Sequence, residues 1–241
     1  MRMNRSYSSP PERRSKARRI LRIAVIGSVV ALVLFVGVTA CVFWGACATP
    51  EYYEKSLNVD PVAQREASDD MLEETAQLVS DVQKPGRWEA VFTQEQINGW
   101  LAVDLEENHA ASIPKGVEDP RVFLKEGSVT VACQVDNDIL DGVLSIEADV
   151  FVPEPGRLAV RLRSIHLGAV PLPQKYLIDH AESVAQRVGY PVSWAQQDGD
   201  AVMILTIEDD PTERTSYQLD AVVVEEGRIG LAGTTIRQRN R

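Results

Sequence analysis

The chain has 241 residues, 44% hydrophobic and 25% charged, with a net charge of −10, a length that suits one ordinary domain plus accessory segments. Residues 1–22 carry eight bases and one acid, whereas from Thr49 onward there are 34 acids and 17 bases. So acidic a domain argues against nucleic-acid binding, which needs clustered Lys and Arg, and Cys41, Cys47 and Cys133 cannot build an internal disulfide framework.

The basic arm, residues 1–22, begins "MRMNRSYSSPPERRSKARR". Polar, Pro- and Ser-containing and basic, it is expected to be disordered and to lie on anionic headgroups. Residues 23–48 follow without a single charge. As a helix these 26 residues would rise roughly 39 Å at about 1.5 Å each, enough to cross a hydrocarbon core of about 30 Å. The positive-inside bias then puts the arm in the cytoplasm and the C-terminal domain outside, in the periplasm, as in a single-pass cell-membrane protein. A cleaved leader is the alternative: Val38-Thr39-Ala40-Cys41 has the form of a lipobox, although the apolar run continues through Val42, Phe43 and Trp44. Both readings tether the domain to a membrane.

Residues 49–86 are expected to form a stalk whose helix packs on the domain through one stripe. Within them Pro61 to Gln83 places Met71, Leu72, Thr75, Leu78, Val79 and Val82 at helical spacing, and Lys84-Pro85-Gly86 stops the helix. Residues 87–236 form the predicted extracytoplasmic domain and 237–241 a tail. Near its start, "FTQEQINGWL" fits a helix start with Thr93 and Gln96 as a capping box and Phe92 and Ile97 as a hydrophobic staple. Ile97, Trp100, Leu101 and Leu105 define an apolar face. Asp104 falls on that face, so either the helix ends there or Asp104 sits at a wet rim.

From Arg121 the apolar period becomes two. The turns at Lys125-Glu126-Gly127-Ser128, Pro153-Glu154-Pro155-Gly156, Gln196-Gln197-Asp198-Gly199-Asp200 and Glu225-Glu226-Gly227-Arg228 each separate alternating runs, which predicts hairpins in an antiparallel meander. A second helix, "QKYLIDHAESVAQRV", carries Leu177, Ala181, Val184, Ala185 and Val188 on one stripe and ends at Gly189. The expected fold is therefore α+β, with a transmembrane helix, a stalk helix, and a meander of about eight strands packed with two helices.

Motifs for chemistry are sparse. His109, His166 and His180 lack partners at metal-ligand spacing, and there is no G-x-S-x-G elbow, P-loop or dinucleotide fingerprint. No catalytic residue, metal ligand or cofactor is assigned. Arg157, Arg161 and Arg163 form a basic stripe, read as a solvated face with cross-strand acids such as Glu147 and Asp149. Cys133, alternating with Val129, Val131 and Val135, reads as a small core residue.

An amphipathic helix over a curled sheet is either a packed scaffold or, where the two splay, a groove for an acyl chain. The candidate groove walls are Ile97, Trp100, Leu101, Leu177 and Val184. The N-terminal anchor, "FTQEQINGWL", the hairpins and "LGAVPLPQKYL" before a helix together resemble bacterial membrane-anchored proteins of the YpmS and LmeA-like kind. The likeness covers about residues 92–189. It implies a domain similar to tubular lipid-binding domains and no catalytic residues. The function expected is non-catalytic binding of a lipid or another apolar ligand; the alternative is an interaction module holding an envelope protein partner.

Overall fold

In a computed structural model, the residues described are 45–136, 141–175, 178, 192–206 and 215–237. The basic arm, residues 23–44 of the apolar run, and Leu177 and Val184 lie outside them. Among the described residues no helix is long and apolar enough to cross a membrane.

The chain enters as α1 (Glu51–Leu57) and α2 (Pro61–Val82), the latter capped by Asp60 with Pro at its first position. Strand β1 (Gly86–Thr93) leads straight into α3 (Gln94–Ala102), and α4 (Asp104–Asn108) follows after a break at Val103. Then come β2 (Val117–Lys125), β3 (Ser128–Asp136), β4 (Asp141–Glu154), β5 (Arg157–Leu167) and the two-residue β6 (Val170–Pro171). The chain closes with β7 (Val192–Gln197), β8 (Asp200–Thr206), β9 (Thr215–Glu225) and β10 (Arg228–Arg237).

All four predicted hairpins form, and the class is α+β. In place of a single meander of about eight strands, the described residues form ten strands in two antiparallel sheets. The larger runs β2-β3-β4-β5-β8-β7 with β6 beside β5, and the smaller runs β1-β10-β9. The smaller sheet joins chain ends, pairing Gly86 with Thr235 and Thr93 with Arg228. Its strand β9 runs across the tips of two hairpins of the larger sheet. There the Leu219 and Val224 carbonyls accept from the amides of Gly156 and Gly127, and the Gly227 amide returns a bond to the Leu124 carbonyl.

The capping box is present as read: the Thr93 hydroxyl accepts from the Gln96 amide at 3.1 Å and the Gln96 side chain accepts from the Thr93 amide at 2.8 Å. It aims α3 along the free edge of β2. Asn98 donates to the Val122 carbonyl at 2.8 Å and accepts from the Val122 amide at 2.7 Å, and Gln94 accepts from the Leu124 amide at 2.8 Å. With the Gly227 bond to Leu124, four outward-facing backbone groups of an edge strand are satisfied, and the edge is closed to other strands. Gln174 does the same where β5 and β8 diverge, donating to the Leu162 carbonyl at 3.0 Å and accepting from the Ala201 amide at 3.4 Å.

Helix α2 packs on the domain. It crosses α3 where Gly99 faces Gln64, Ala67 and Ser68, and a Cβ at Gly99 would come 2.7 Å from the Ser68 amide nitrogen. At the far end of α2, the Val82 carbonyl accepts from the Thr235 hydroxyl at 2.7 Å. Leu72, Thr75 and Val79, half of the predicted stripe, face solvent.

The apolar run also ends earlier than its composition suggests. Gly45 accepts from the Ala169 amide at 2.8 Å, Ala46 is buried, and a Cβ at Gly142 or Gly168 would sit 2.5 Å from the Ala46 carbonyl oxygen. Residues 45–48 thus belong to the sheet end of the domain. The 22 residues 23–44 remain, and as a helix would rise about 33 Å.

Candidate functional site: two cavities sharing helix α1

One face of the larger sheet carries Arg121, Phe123 and Lys125 on β2, Thr130 and Ala132 on β3, Val143, Ser145 and Glu147 on β4, and Ser164 and His166 on β5. Helix α1 lies on this face. Tyr53 is fully buried against Ala132 and Val143, with Leu57 and Phe123 packed around them. Its hydroxyl donates to the Asp119 carbonyl at 2.7 Å. Burial first, and Asp119 second, push the phenol up to about 12, with Arg121 acting in the opposite sense.

A cleft of about 220 Å³ opens beside α1, lined by Tyr52, Phe123, Lys125, Thr130, Ser145, Glu147, Ser164 and His166. Tyr52 and Phe123 form its aromatic wall, edge to face with ring centroids 4.7 Å apart. On the floor, Ser145 is opposite His166 and Glu147 opposite both Thr130 and Ser164, whose hydroxyl donates to the Glu147 carboxylate at 3.2 Å. The cleft therefore offers an aromatic surface, two groups able to carry positive charge, one carboxylate and three hydroxyls. Two residues beyond His166, just past the end of β5, is Gly168, against which residues 45–48 pack, a separation of at most about 7 Å at 3.3 Å per residue.

The second cavity, about 210 Å³, lies between α1, α2 and α3. Val59, Ala63 and Ala67 line one part, and Ser56, Gln64, Gln94, Glu95, Asn98, Gly99 and Arg121 the rest. Arg121 is 4% exposed. Its strand bulges between Glu118 and Arg121, with Asp119 at φ +48°, and such a bulge re-aims the side chain that follows.

Of the residues expected to wall a groove, Ile97, Trp100 and Leu101 are half-buried on α3, and neither cavity is lined by them. Trp100 instead stands against the His109 ring at 5.9 Å. The awkward Asp104 resolves as the start of α4: it is buried and accepts from Asn108 at 2.6 Å, with His109 Nε2 at 3.4 Å.

Around the arginine stripe, Arg163 is the bulged residue of β5. It pairs with Asp149 at 2.6 Å and Asp200 at 3.8 Å, while Arg157 pairs with Glu154 at 3.2 Å. Burial pushes the Cys133 thiol up, which suits a packing residue better than a nucleophile.

The sequence reading missed the cleft, because its residues come from four strands and α1. The signal available was the run of polar residues at alternate positions, Thr130, Glu147 and Ser164, opposite the apolar ones. No protein-family model, curated protein or solved structure matches the chain.

Proposed function

We propose that this chain is a non-catalytic lipid-binding protein, anchored in the cell membrane by residues 23–44, whose extracytoplasmic domain takes a lipid by its polar end in the Tyr52–His166 cleft. The observation that carries the reading is the cleft's make-up and position: aromatic wall, mixed-charge floor, and a setting two residues before Gly168, where residues 45–48 meet the sheet end. At about 220 Å³ the cleft is below the size usual for sites that enclose a whole ligand. A lipid seated there keeps its acyl chains elsewhere, where each methylene is worth about 0.8 kcal/mol of burial. Lys125 and His166 suit a phosphate, and Glu147 a headgroup amine.

The test uses the full chain in detergent. Native mass spectrometry should detect bound phospholipid in the unmodified protein, and Tyr52→Ala and Glu147→Gln should lower its occupancy. Lipid-free protein, or unchanged occupancy in both variants, refutes the reading.

A scaffolding role is the second reading, favoured by the outer face of the smaller sheet. There Val91, 49% exposed, and Val223, 55% exposed, flank Gly230 over a shallow depression. A photo-crosslinking residue at position 223 should trap a defined envelope protein if this reading holds, and only lipid or nothing if it does not.

A further inference from the structure

The second cavity holds the least expected group in the domain. A guanidinium has five N–H donors in a planar fork and stays charged under all ordinary conditions. Burying it is costly unless oxygens complete its shell. Arg121 is buried in a chain whose domain has twice as many acids as bases, yet among the described residues no carboxylate grips it closely. It donates to the neighbouring Pro120 carbonyl at 2.8 Å, and its contact with Asp119 is a single one at 3.5 Å, to a carboxylate that is itself 45% exposed. That is far from the bidentate pairing the fork can make.

The nearby amides are committed elsewhere. Gln94 and Asn98 are engaged with the edge of β2, and the Ser56 hydroxyl donates to the Tyr53 carbonyl at 2.7 Å. Of the rest, Glu95 lies exposed to solvent and Val59, Ala63 and Ala67 form an apolar part of the wall. The space of about 210 Å³ holds roughly seven non-hydrogen atoms at about 30 Å³ each.

We propose that this cavity is a binding site for a small organic oxyanion, a carboxylate or phosphate carrying a short apolar group. Arg121 holds the oxyanion and Val59, Ala63 and Ala67 hold the apolar part. The Asp119–Pro120 bulge is what turns Arg121 toward the space, and Asp119 serves as the weak counterion that the ligand replaces. The site is independent of the lipid cleft: Tyr52 belongs to one and Ser56 to the other.

Thermal unfolding of the full chain in nanodiscs tests this with three probes at matched ionic strength: inorganic phosphate, butyrate and chloride. Phosphate or butyrate should raise the midpoint in a saturable way, because a ligand that binds only the folded state stabilises it by mass action. Butyrate exceeding phosphate would identify a carboxylate with an apolar tail; phosphate exceeding butyrate would identify a phosphate. Arg121→Gln should weaken the better probe at least tenfold. Because loss of Arg121 also perturbs the fold, Ala63→Phe provides a second variant. It fills the cavity from the exposed side of α2 and should abolish the shift while leaving the ligand-free midpoint near that of the parent. Equal midpoints in all three anions, or a shift that survives Ala63→Phe, overturns the assignment.

Discussion

Replacing Asn98 with alanine isolates the contribution of the amide that seals the edge of β2. The substitution removes two hydrogen bonds, to the Val122 carbonyl and from the Val122 amide, at 2.8 and 2.7 Å. Each is worth about 1 kcal/mol net if water takes over, and a backbone group left dry costs a further 1–3 kcal/mol. Because Asn98 is half-buried, water can reach the vacated space in part, so the expected loss is about 2–4 kcal/mol. At roughly 2–4 °C per kcal/mol for a domain of this size, the midpoint falls by about 4–16 °C. Asn98→Asp is the informative control. It keeps an acceptor for the Val122 amide but turns an anionic oxygen toward the Val122 carbonyl, so it should not rescue stability despite near-identical shape. Urea unfolding followed by tryptophan fluorescence gives the energies, and hydrogen exchange at the Val122 amide reports the edge itself. A loss below 0.5 kcal/mol in Asn98→Ala with unchanged Val122 protection would refute the reasoning.

Two further outcomes follow from the same elements. Gly99→Ala puts a Cβ 2.7 Å from the Ser68 amide nitrogen and 2.8 Å from the Gln64 carbonyl oxygen, so α2 and α3 must separate; urea unfolding should show a loss of about 1–3 kcal/mol even though alanine favours helix. The Tyr53 phenol, raised in the folded state to about 12 from 10, is a neutral acid kept neutral by burial. Its contribution is therefore full below pH 10 and is lost as the pH climbs from 10 toward 12. Stability measured across pH 9–12 should fall less steeply in Tyr53→Phe than in the parent, after a uniform cost of about 1 kcal/mol for the lost bond to the Asp119 carbonyl.

Much of the architecture was legible because it is local. Gly127, Gly156, Gly199 and Gly227, each at positive φ, sit at the tight turns that alternating runs had marked, and the capping box of α3 depends on two residues three apart. The division into two sheets was not legible, because it rests on β1 pairing with β10 across nearly the whole domain. Trp88, Ala90 and Phe92 do alternate in β1, but the strand is short and runs directly into a strong helix signal. Nothing local says that its partner is the last strand. The packing of residues 45–48 was not legible for a related reason. Glycine and alanine continue an apolar run by composition, whereas their fit against Gly142 and Gly168 is visible only once the sheet has formed.

The site is harder to read than the fold because the informative side chains look ordinary in sequence. The apolar stripe of α3 drew attention to Ile97, Trp100 and Leu101, yet the helix is positioned by its polar residues, Gln94 and Asn98, which by pattern alone resemble a solvated face. Tyr52 and Tyr53 lie in a short helix just after the apolar run, a place where the sequence reading expects aromatic residues as interfacial anchors, so they carry no site signal. Arg121 reads as the polar opening of a strand. Its burial depends on α1, α2 and α3 converging over it, and each of those helices is explained by another contact: Tyr53 on Ala132, Gly99 on Ser68, Asn98 on Val122. Three separately justified contacts together enclose a cation that none of them requires. An uncharged glutamine at position 121 would let the same helices pack at lower cost, so the burial of a guanidinium argues for a ligand rather than for the fold.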